Sequence, residues 1–213
     1  MLGLVKINNL VVIGAGGQSR VCLDILDSMN IHPGLILGDP GSPKNIYGVP
    51  VEVGYERLEN LTSQGFSNVL IAIGDNNSRQ TRAEQCTSER LGLFSAISPN
   101  ASISRRASVG DGSVVNHGAR IGPSVEIGPL LILGTYAVVG HDSKIGTAVH
   151  IAGQTILGGS CEIGDRVLIG MGSVVLPKIH IDSDIIVGAG SVVSRSLEEP
   201  GVYAGAPARL VKK

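Results

Sequence analysis

Residues 139–164 read VGHDSKIGTAVHIAGQTILGGSCEIG, and Val139, Ile145, Ile151, Leu157 and Ile163 fall at every sixth position within them. The register extends back through Leu133, Ile127, Ile121, Val115, Val109 and Ile103 to Ile97. It runs forward through Ile169, Val175, Ile181 and Val187 to Val193, giving seventeen aliphatic positions without an insertion. The next residue is usually glycine, as at Gly110, Gly122, Gly128, Gly134, Gly140, Gly146, Gly158, Gly164, Gly170 and Gly188. Four residues after the aliphatic stands a small or aliphatic side chain, such as Ala119, Ala137, Ser143, Cys161 or Ser173. A period of six is neither the 3.6 of a helix nor the simple alternation of a strand. It fits a short strand plus a corner, with glycine where the backbone needs a positive φ. Hexapeptide repeats of this kind build parallel β-helices.

Composition agrees. The 213 residues include 30 Gly, no Trp and only six aromatics, and charged types make up 16%. Average chains carry about 7% Gly and roughly 25% charge. A narrow interior of Val, Ile, Leu and Ala has no room for rings. The apolar content of 43% excludes a disordered chain. A net charge of -1 supplies no basic excess for nucleic acid. Cys22, Cys86 and Cys161 have no paired spacing and read as buried thiols in a reducing compartment. The N-terminal MLGLVKINNLVVIGAGG lacks a signal-peptide cleavage site, and no apolar run is long enough to span a bilayer. A cytoplasmic protein without membrane insertion is expected.

The repeat resembles the left-handed β-helix of the hexapeptide-repeat acyltransferases, a triangular prism with three hexapeptides per coil. That resemblance implies a little over five coils across residues 95–213, stacked about 4.8 Å apart. A β-helix does not by itself specify chemistry.

Residues 1–94 follow a different pattern. Leu10-Val11-Val12-Ile13 reads as a buried strand that runs into Gly14-Ala15-Gly16-Gly17-Gln18-Ser19-Arg20 and then an amphipathic helix. Strands are expected at Leu35–Leu37 and Asn68–Ile73, ending at Gly38-Asp39 and Gly74-Asp75, with helices over Tyr55–Gln64 and Ser78–Leu91. Alternating strands and helices predict a Rossmann-like α/β domain with a ligand crevice at the strand ends. Ser19 stands where G-x-G-x-x-G needs its last glycine, so the turn either binds phosphate or merely closes a βα unit. Asp39 either accepts hydrogen bonds from a sugar or base or is a solvated strand-end cap.

Domain order, glycine turn and repeat together resemble the sialic acid O-acetyltransferase and bacillosamine and perosamine N-acetyltransferase-like family. The resemblance is sharpest at Val139-Gly140-His141-Asp142-Ser143, Val149-His150-Ile151, Gly158-Gly159, Gly188-Ala189-Gly190-Ser191 and the tail Gly201–Ala208. It implies an acetyl-CoA-dependent N-acetyltransferase, acting without metal on a nucleotide-linked amino sugar of the 4-amino-4,6-dideoxy type. O-acetylation of a sialic-acid-like sugar is the alternative. It further implies His141 as general base and Asp142 as its orienting carboxylate. His150, Gly159, Gly170 and Ala189 would meet acetyl-CoA. Gly14, Gly16, Gly17, Gln18, Arg20, Asp39 and Gly74 would meet the nucleotide sugar. The chain departs from the family at Gln18, where many members have His, at Arg20, where Lys is common, and at Gly134, where some have Asn.

Register supports part of this directly. His141 lies two residues after inward Val139, on an accessible corner, where an imidazole suits proton transfer near neutral pH. By itself the position also fits an exposed polar residue. Gly159 follows His141 by eighteen residues, one coil, so it stacks beside the same corner as a candidate oxyanion donor. His150 points out from a flat face and would line a subunit interface or acetyl-CoA. The gaps of 24, 9 and 30 among His117, His141, His150 and His180 do not match the zinc spacing of γ-type carbonic anhydrases. A pure scaffold is the third class, disfavoured by the His-Asp corner. Outward Ile132, Val138, Ile156, Leu168 and Ile186 would be wet in a monomer. Together with the resemblance they predict a homotrimer with acetyl-CoA between neighbouring β-helices.

Overall fold

The computed structural model describes residues 5–212. Met1–Leu4, which open the N-terminal run considered for a signal peptide, and Lys213 lie outside the described residues. The chain divides into two compact units, Met1–Pro99 and Asn100–Lys213.

The first unit runs β1 (Val5–Ile13), α1 (Gly17–Ser28), β2 (Ile31–Gly38), β3 (Asn45–Ile46), β4 (Val49–Val53), α2 (Leu58–Leu61), β5 (Asn68–Ile71), α3 (Asn76–Ser88) and β6 (Gly92–Leu93). The sheet order is β3-β4-β2-β1-β5-β6, Rossmann-like and parallel apart from the β3–β4 hairpin. Leu10–Ile13, Ile36, Leu37 and Val69–Ile71 have no solvent exposure, as expected of strands covered on both faces. Two elements differ from expectation. The hairpin was not anticipated, because its turn is Tyr47-Gly48 rather than a usual Asn-Gly pair. Both turn residues have positive φ, and the Asn45 side chain accepts the Gly48 N–H at 2.8 Å. The helix expected over Tyr55–Gln64 shrinks to Leu58–Leu61 plus a 3₁₀ turn, Thr62–Gln64. The backbone around it closes by i→i+3 bonds, Leu58 to Tyr55 and Asn60 to Arg57.

The second unit is a left-handed parallel β-helix. Its strands are mostly two residues long and pair in parallel with the strand eighteen positions on. Arg120 pairs with Val138, Val138 with Ile156, and Ile156 with Val174. Three sheets of eight, six and five strands result, one per side of the prism. From Val115 to Val193 every sixth aliphatic is buried; Ile97, Ile103 and Val109, in the end coil with none stacked beneath, are only half-buried. Buried Ser113, Ser143 and Ser173 each accept the backbone N–H eighteen residues later, from Leu131, Cys161 and Ser191, at 3.3, 3.1 and 3.3 Å. The small interior position therefore also satisfies buried polar backbone. The tail closes the last coil: Gly201–Ala204 pairs with Ile185–Val187, and Arg209–Lys212 folds back antiparallel.

The glycines act differently from the sequence reading. Positive φ falls three residues after the inward aliphatic, on Gly112, Gly118, Gly172 and Gly190 and on non-glycines such as Ser124, Asp142 and Ser160. The glycines directly after the aliphatics are required by close approach. A Cβ on Gly140 would lie 2.5 Å from the carbonyl carbon of Gly158 in the next coil.

Candidate active site and nucleotide cavity

His141 sits on the corner between the six- and five-stranded faces. Backbone bonds to both neighbouring coils hold it: Asp142 N–H donates to Pro123 O at 3.0 Å, and Ser160 N–H to His141 O at 2.7 Å. Inward Ser143 anchors the turn from within. Asp142 takes the left-handed conformation, φ 57°, and this brings its carboxylate back onto its neighbour's ring. Asp142 Oδ2 lies 2.6 Å from His141 Nδ1, the contact that sequence spacing left open. A carboxylate there favours the tautomer with its proton on Nδ1 and leaves Nε2 as an acceptor. Both side chains are accessible, at 62% and 58% exposure. Gly159 stacks against this ring as expected: a Cβ on it would be 2.5 Å from Nε2.

Gly170 and Ala189 meet on another corner, where a Cβ on Gly170 would lie 2.5 Å from Ala189 N. His150 is half-buried on the adjoining eight-stranded face, between Ile132 and Leu168. These three thus share one edge, and the six-stranded face separates it from His141 and Gly159. Of the outward apolar residues, Ile156 and Ile186 are exposed, at 48% and 41%, while Ile132 is buried. Ile132 pairs with Val114, which is also wholly buried.

His180 forms a second imidazole–carboxylate pair that the sequence did not suggest. Its Nε2 is 2.7 Å from Asp182 Oδ1, and its Nδ1 is 3.6 Å from Glu162 Oε2. It ends a polar ladder of Glu126, Lys144, Glu162 and His180 along the five-stranded face. Among the described residues no group of three or more His, Cys, Asp or Glu side chains is placed to hold a metal ion. All three cysteines are buried, and burial pushes the Cys22 and Cys86 thiols up to about 12.

In the first unit the glycine turn crosses the ends of the central strands. Gly14 has φ +107°, its N–H donates to Leu37 O at 2.7 Å, and a Cβ there would lie 2.7 Å from Ala72 O. Its N–H is therefore spent within the sheet. Gly16 and Gly17 face open space, and α1 starts without a side-chain cap. Bare N–H groups at such a start favour an anion. Arg20 turns back instead, donating from Nη1 to Gly16 O at 3.0 Å, and Gln18 Nε2 lies 3.9 Å from Cys22 Sγ. Gly74 also faces open space, on a turn held by buried Arg79. The Arg79 guanidinium donates to Ile73 O, Gly74 O and Asn76 Oδ1 at 3.1, 3.0 and 2.7 Å. Burial draws its pKa down to about 10, leaving it charged at neutral pH.

Asp39, exposed at the end of β2, opens into a cavity of 420 Å³ with Tyr55, Ile73, Asn77, Ser78, Thr81 and Arg82. The glycine turn, Gln18, Arg20 and Gly74 do not line it. Burial, and then the negative charge of Asp39, push the Tyr55 phenol upward, and the Arg82 guanidinium lies 3.7 Å from the centre of the Tyr55 ring. Sequence reading found Asp39 but missed Tyr55 and Arg82. Nothing marks a tyrosine after β4 and an arginine in mid-helix as neighbours until the sheet order is known.

Prism, accessible His–carboxylate corner and glycine-turn domain together define the hexapeptide-repeat acyltransferase class. Residues 9–86 match the PglD N-terminal domain family, and residues 94–192 the GMPPB C-terminal domain family. Perosamine N-acetyltransferase PerB from Caulobacter crescentus, solved with CoA and GDP-perosamine, is 35% identical over 96% of this chain and 97% of that one, with TM-score 0.92. The acetyltransferase domain of PglB from Neisseria gonorrhoeae, solved with acetyl coenzyme A, is 29% identical over 96% of this chain and 100% of that one, with TM-score 0.89. A protein of Escherichia coli K12 described as the lipopolysaccharide biosynthesis O-acetyl transferase WbbJ is 46% identical over 48 residues, 22% of this chain. The matches to such curated relatives span 24% of their length. The chain belongs to the perosamine and bacillosamine N-acetyltransferase-like family of hexapeptide-repeat sugar acetyltransferases.

Proposed function

We propose that the protein transfers the acetyl group of acetyl-CoA to the amine of a nucleotide-linked amino sugar, of the 4-amino-4,6-dideoxy type. The observation that carries this reading is the His141–Asp142 pair, with Nε2 turned to an open corner beside Gly159. Its likeness over nearly the whole chain to an enzyme solved with CoA and GDP-perosamine supports it.

In this mechanism the amine nitrogen attacks the thioester carbonyl carbon, and Nε2 of His141 takes the proton that the nitrogen must lose. Asp142 holds the tautomer and stabilises the imidazolium. The N–H of Gly159 donates to the oxyanion of the tetrahedral intermediate. When the C–S bond breaks, the imidazolium returns the proton to the departing thiolate. The products are the acetamido sugar and free CoA.

The uncapped start of α1, with Gly16 and Gly17, takes the diphosphate, and Asp39 the nucleoside. His150, Gly170 and Ala189 line the acetyl-CoA groove between β-helices of a homotrimer. The exposed Ile156 and Ile186 support that assembly. The enzyme works in the cytoplasm, a reducing compartment that suits its three buried free cysteines. The test is release of free thiol from acetyl-CoA against a panel of nucleotide-linked 4-amino sugars. Release with an amine acceptor supports the reading. Transfer only to a hydroxyl would replace it with O-acetylation, and no release with any acceptor would end it.

A further inference from the structure

The turn beside the His141 ring is Gly158-Gly159-Ser160-Cys161, and most of its N–H groups are spent. Gly158 donates to Val175 O at 2.9 Å, Ser160 to His141 O at 2.7 Å and Cys161 to Ser143 Oγ at 3.1 Å. Within this turn the N–H of Gly159 alone has no acceptor among the described residues. It is the main-chain donor that the turn offers outward.

That N–H shares a planar trans peptide with the carbonyl of Gly158, so the two point in opposite directions. Whatever fixes the carbonyl also aims the N–H. Two adjacent glycines supply little restraint of their own. The restraint comes from the interior of the prism. Ser143 is wholly buried and its Oγ lies 3.4 Å from Gly158 O, while Cys161 Sγ lies 3.3 Å from the same oxygen. A thiol is a weak donor, and Cys161 has a second acceptor in Leu176 O, also at 3.3 Å. The alternative acceptor for the Ser143 hydroxyl, His141 O at 3.5 Å, already takes the short bond from Ser160. Ser143 therefore grips the turn at both ends, donating to Gly158 O and accepting from Cys161 N–H.

We propose that Ser143 is a positioning residue for acetyl transfer, holding the Gly158–Gly159 peptide from inside the prism so that the Gly159 N–H faces the oxyanion. The inference rests on the proposed transferase reading and deepens it. A donor to an oxyanion works because it is aimed before the charge appears. The hydroxyl supplies that aim, and by donating to the carbonyl it polarises the N–H at the other end of the peptide. With no solvent exposure, Ser143 itself meets neither substrate. Ser113 supplies a control. It too is wholly buried, donates to Gly110 O at 2.6 Å and accepts the Leu131 N–H at 3.3 Å, on the corner between the five- and eight-stranded faces.

The test compares Ser143→Ala with Ser113→Ala by steady-state kinetics, thermal unfolding and NMR amide exchange. Removing an oxyanion donor costs about 10²–10³-fold in kcat, so misaiming it in Ser143→Ala should cost about 10- to 100-fold. KM for both substrates and the midpoint of the pH profile should stay in place, because the binding groups and the His141–Asp142 pair are untouched. Ser113→Ala should lose a similar amount of melting temperature and keep its kcat. An equal fall of kcat in both variants would overturn the proposal in favour of general loosening. So would unchanged kcat in folded Ser143→Ala, or a shifted pH midpoint, which would move the effect to His141. Should Ser143→Ala not fold, Ser143→Cys fills the same space with a weaker donor and acceptor, and full kcat there would equally overturn it. Exchange of the Ser160 amide needs no activity. It should quicken in Ser143→Ala and not in Ser113→Ala, and unaltered exchange would overturn the hold. Failure of the unaltered protein to release thiol with any acceptor would end the transferase reading, while the exchange result would still decide whether Ser143 holds the turn.

Discussion

A methyl group on Gly159 would lie 2.5 Å from Nε2 of His141, although one full coil separates the two residues along the chain. The contact falls on the end of an accessible side chain and not on backbone, so the fold tolerates a methyl there while the ring does not keep its place. Gly159→Ala should therefore leave the melting temperature nearly unchanged and lower kcat by about 10²-fold, the effect of a displacement near 1 Å at a reacting group. Steady-state kinetics beside thermal unfolding checks this. Unaltered kcat in the folded variant would mean that the imidazole works from another rotamer.

His141→Asn should lower kcat by about 10²–10⁴-fold, the range of a general acid–base group, with acetyl-CoA affinity nearly intact. Asp142→Asn should cost less, because the Nδ1 contact at 2.6 Å orients the ring and takes no part in proton transfer to the thiol. Single-turnover rates together with CoA titrations separate chemistry from binding. A His141→Asn enzyme that keeps more than about a tenth of the activity makes the residue a binding group.

Arg79→Met should destabilise the first unit. It strips donors from Ile73 O, Gly74 O and Asn76 Oδ1. Only the Asn76 bond is buried and the two carbonyls are part-buried, so a loss of about 1–3 kcal/mol is expected in urea unfolding. Arg79→Lys should recover little, because a point charge cannot bridge three acceptors spread along a turn.

Acid should weaken both units through identified carboxylates. The Arg166 hydrogen bond, bidentate at 2.7 and 2.6 Å, holds Asp184 below its usual 3.8, and Ser78 does the same for Asp75. A carboxyl whose pKa is lowered by folding stabilises the fold above 3.8, and this is lost as pH falls through the folded-state value. Asp184→Asn should therefore cost stability at pH 7, by less than about 1 kcal/mol for a pair this exposed. That difference should vanish below the titration. Urea melts from pH 7 to pH 2 show whether the two curves converge.

Much of the second unit was legible because its rules are local. Inward aliphatics every six residues, and small residues four further on, follow from a coil that repeats its own geometry. Even so, the glycines were assigned the wrong reason. Gly140 is demanded by the backbone of Gly158 one coil away, and the positive φ falls on Asp142, where no glycine announces it. That same φ delivers the Asp142 carboxylate to His141. Ile132 read as outward and wet, and its side chain is outward but covered.

The first unit gave up its strands to hydrophobic pattern and its glycine turn to composition, while its cavity stayed hidden. Asp39, Tyr55 and Arg82 lie on three elements, and no spacing along the chain relates them. In the β-helix the eighteen-residue coil converts sequence distance directly into contact, so the amino-acid sequence by itself determined that Gly159 would stack on His141. In the α/β unit crossover connections and sheet order decide which strand ends become neighbours. Only the tertiary structure could therefore place a tyrosine after β4 against the carboxylate after β2 and beneath the guanidinium of α3.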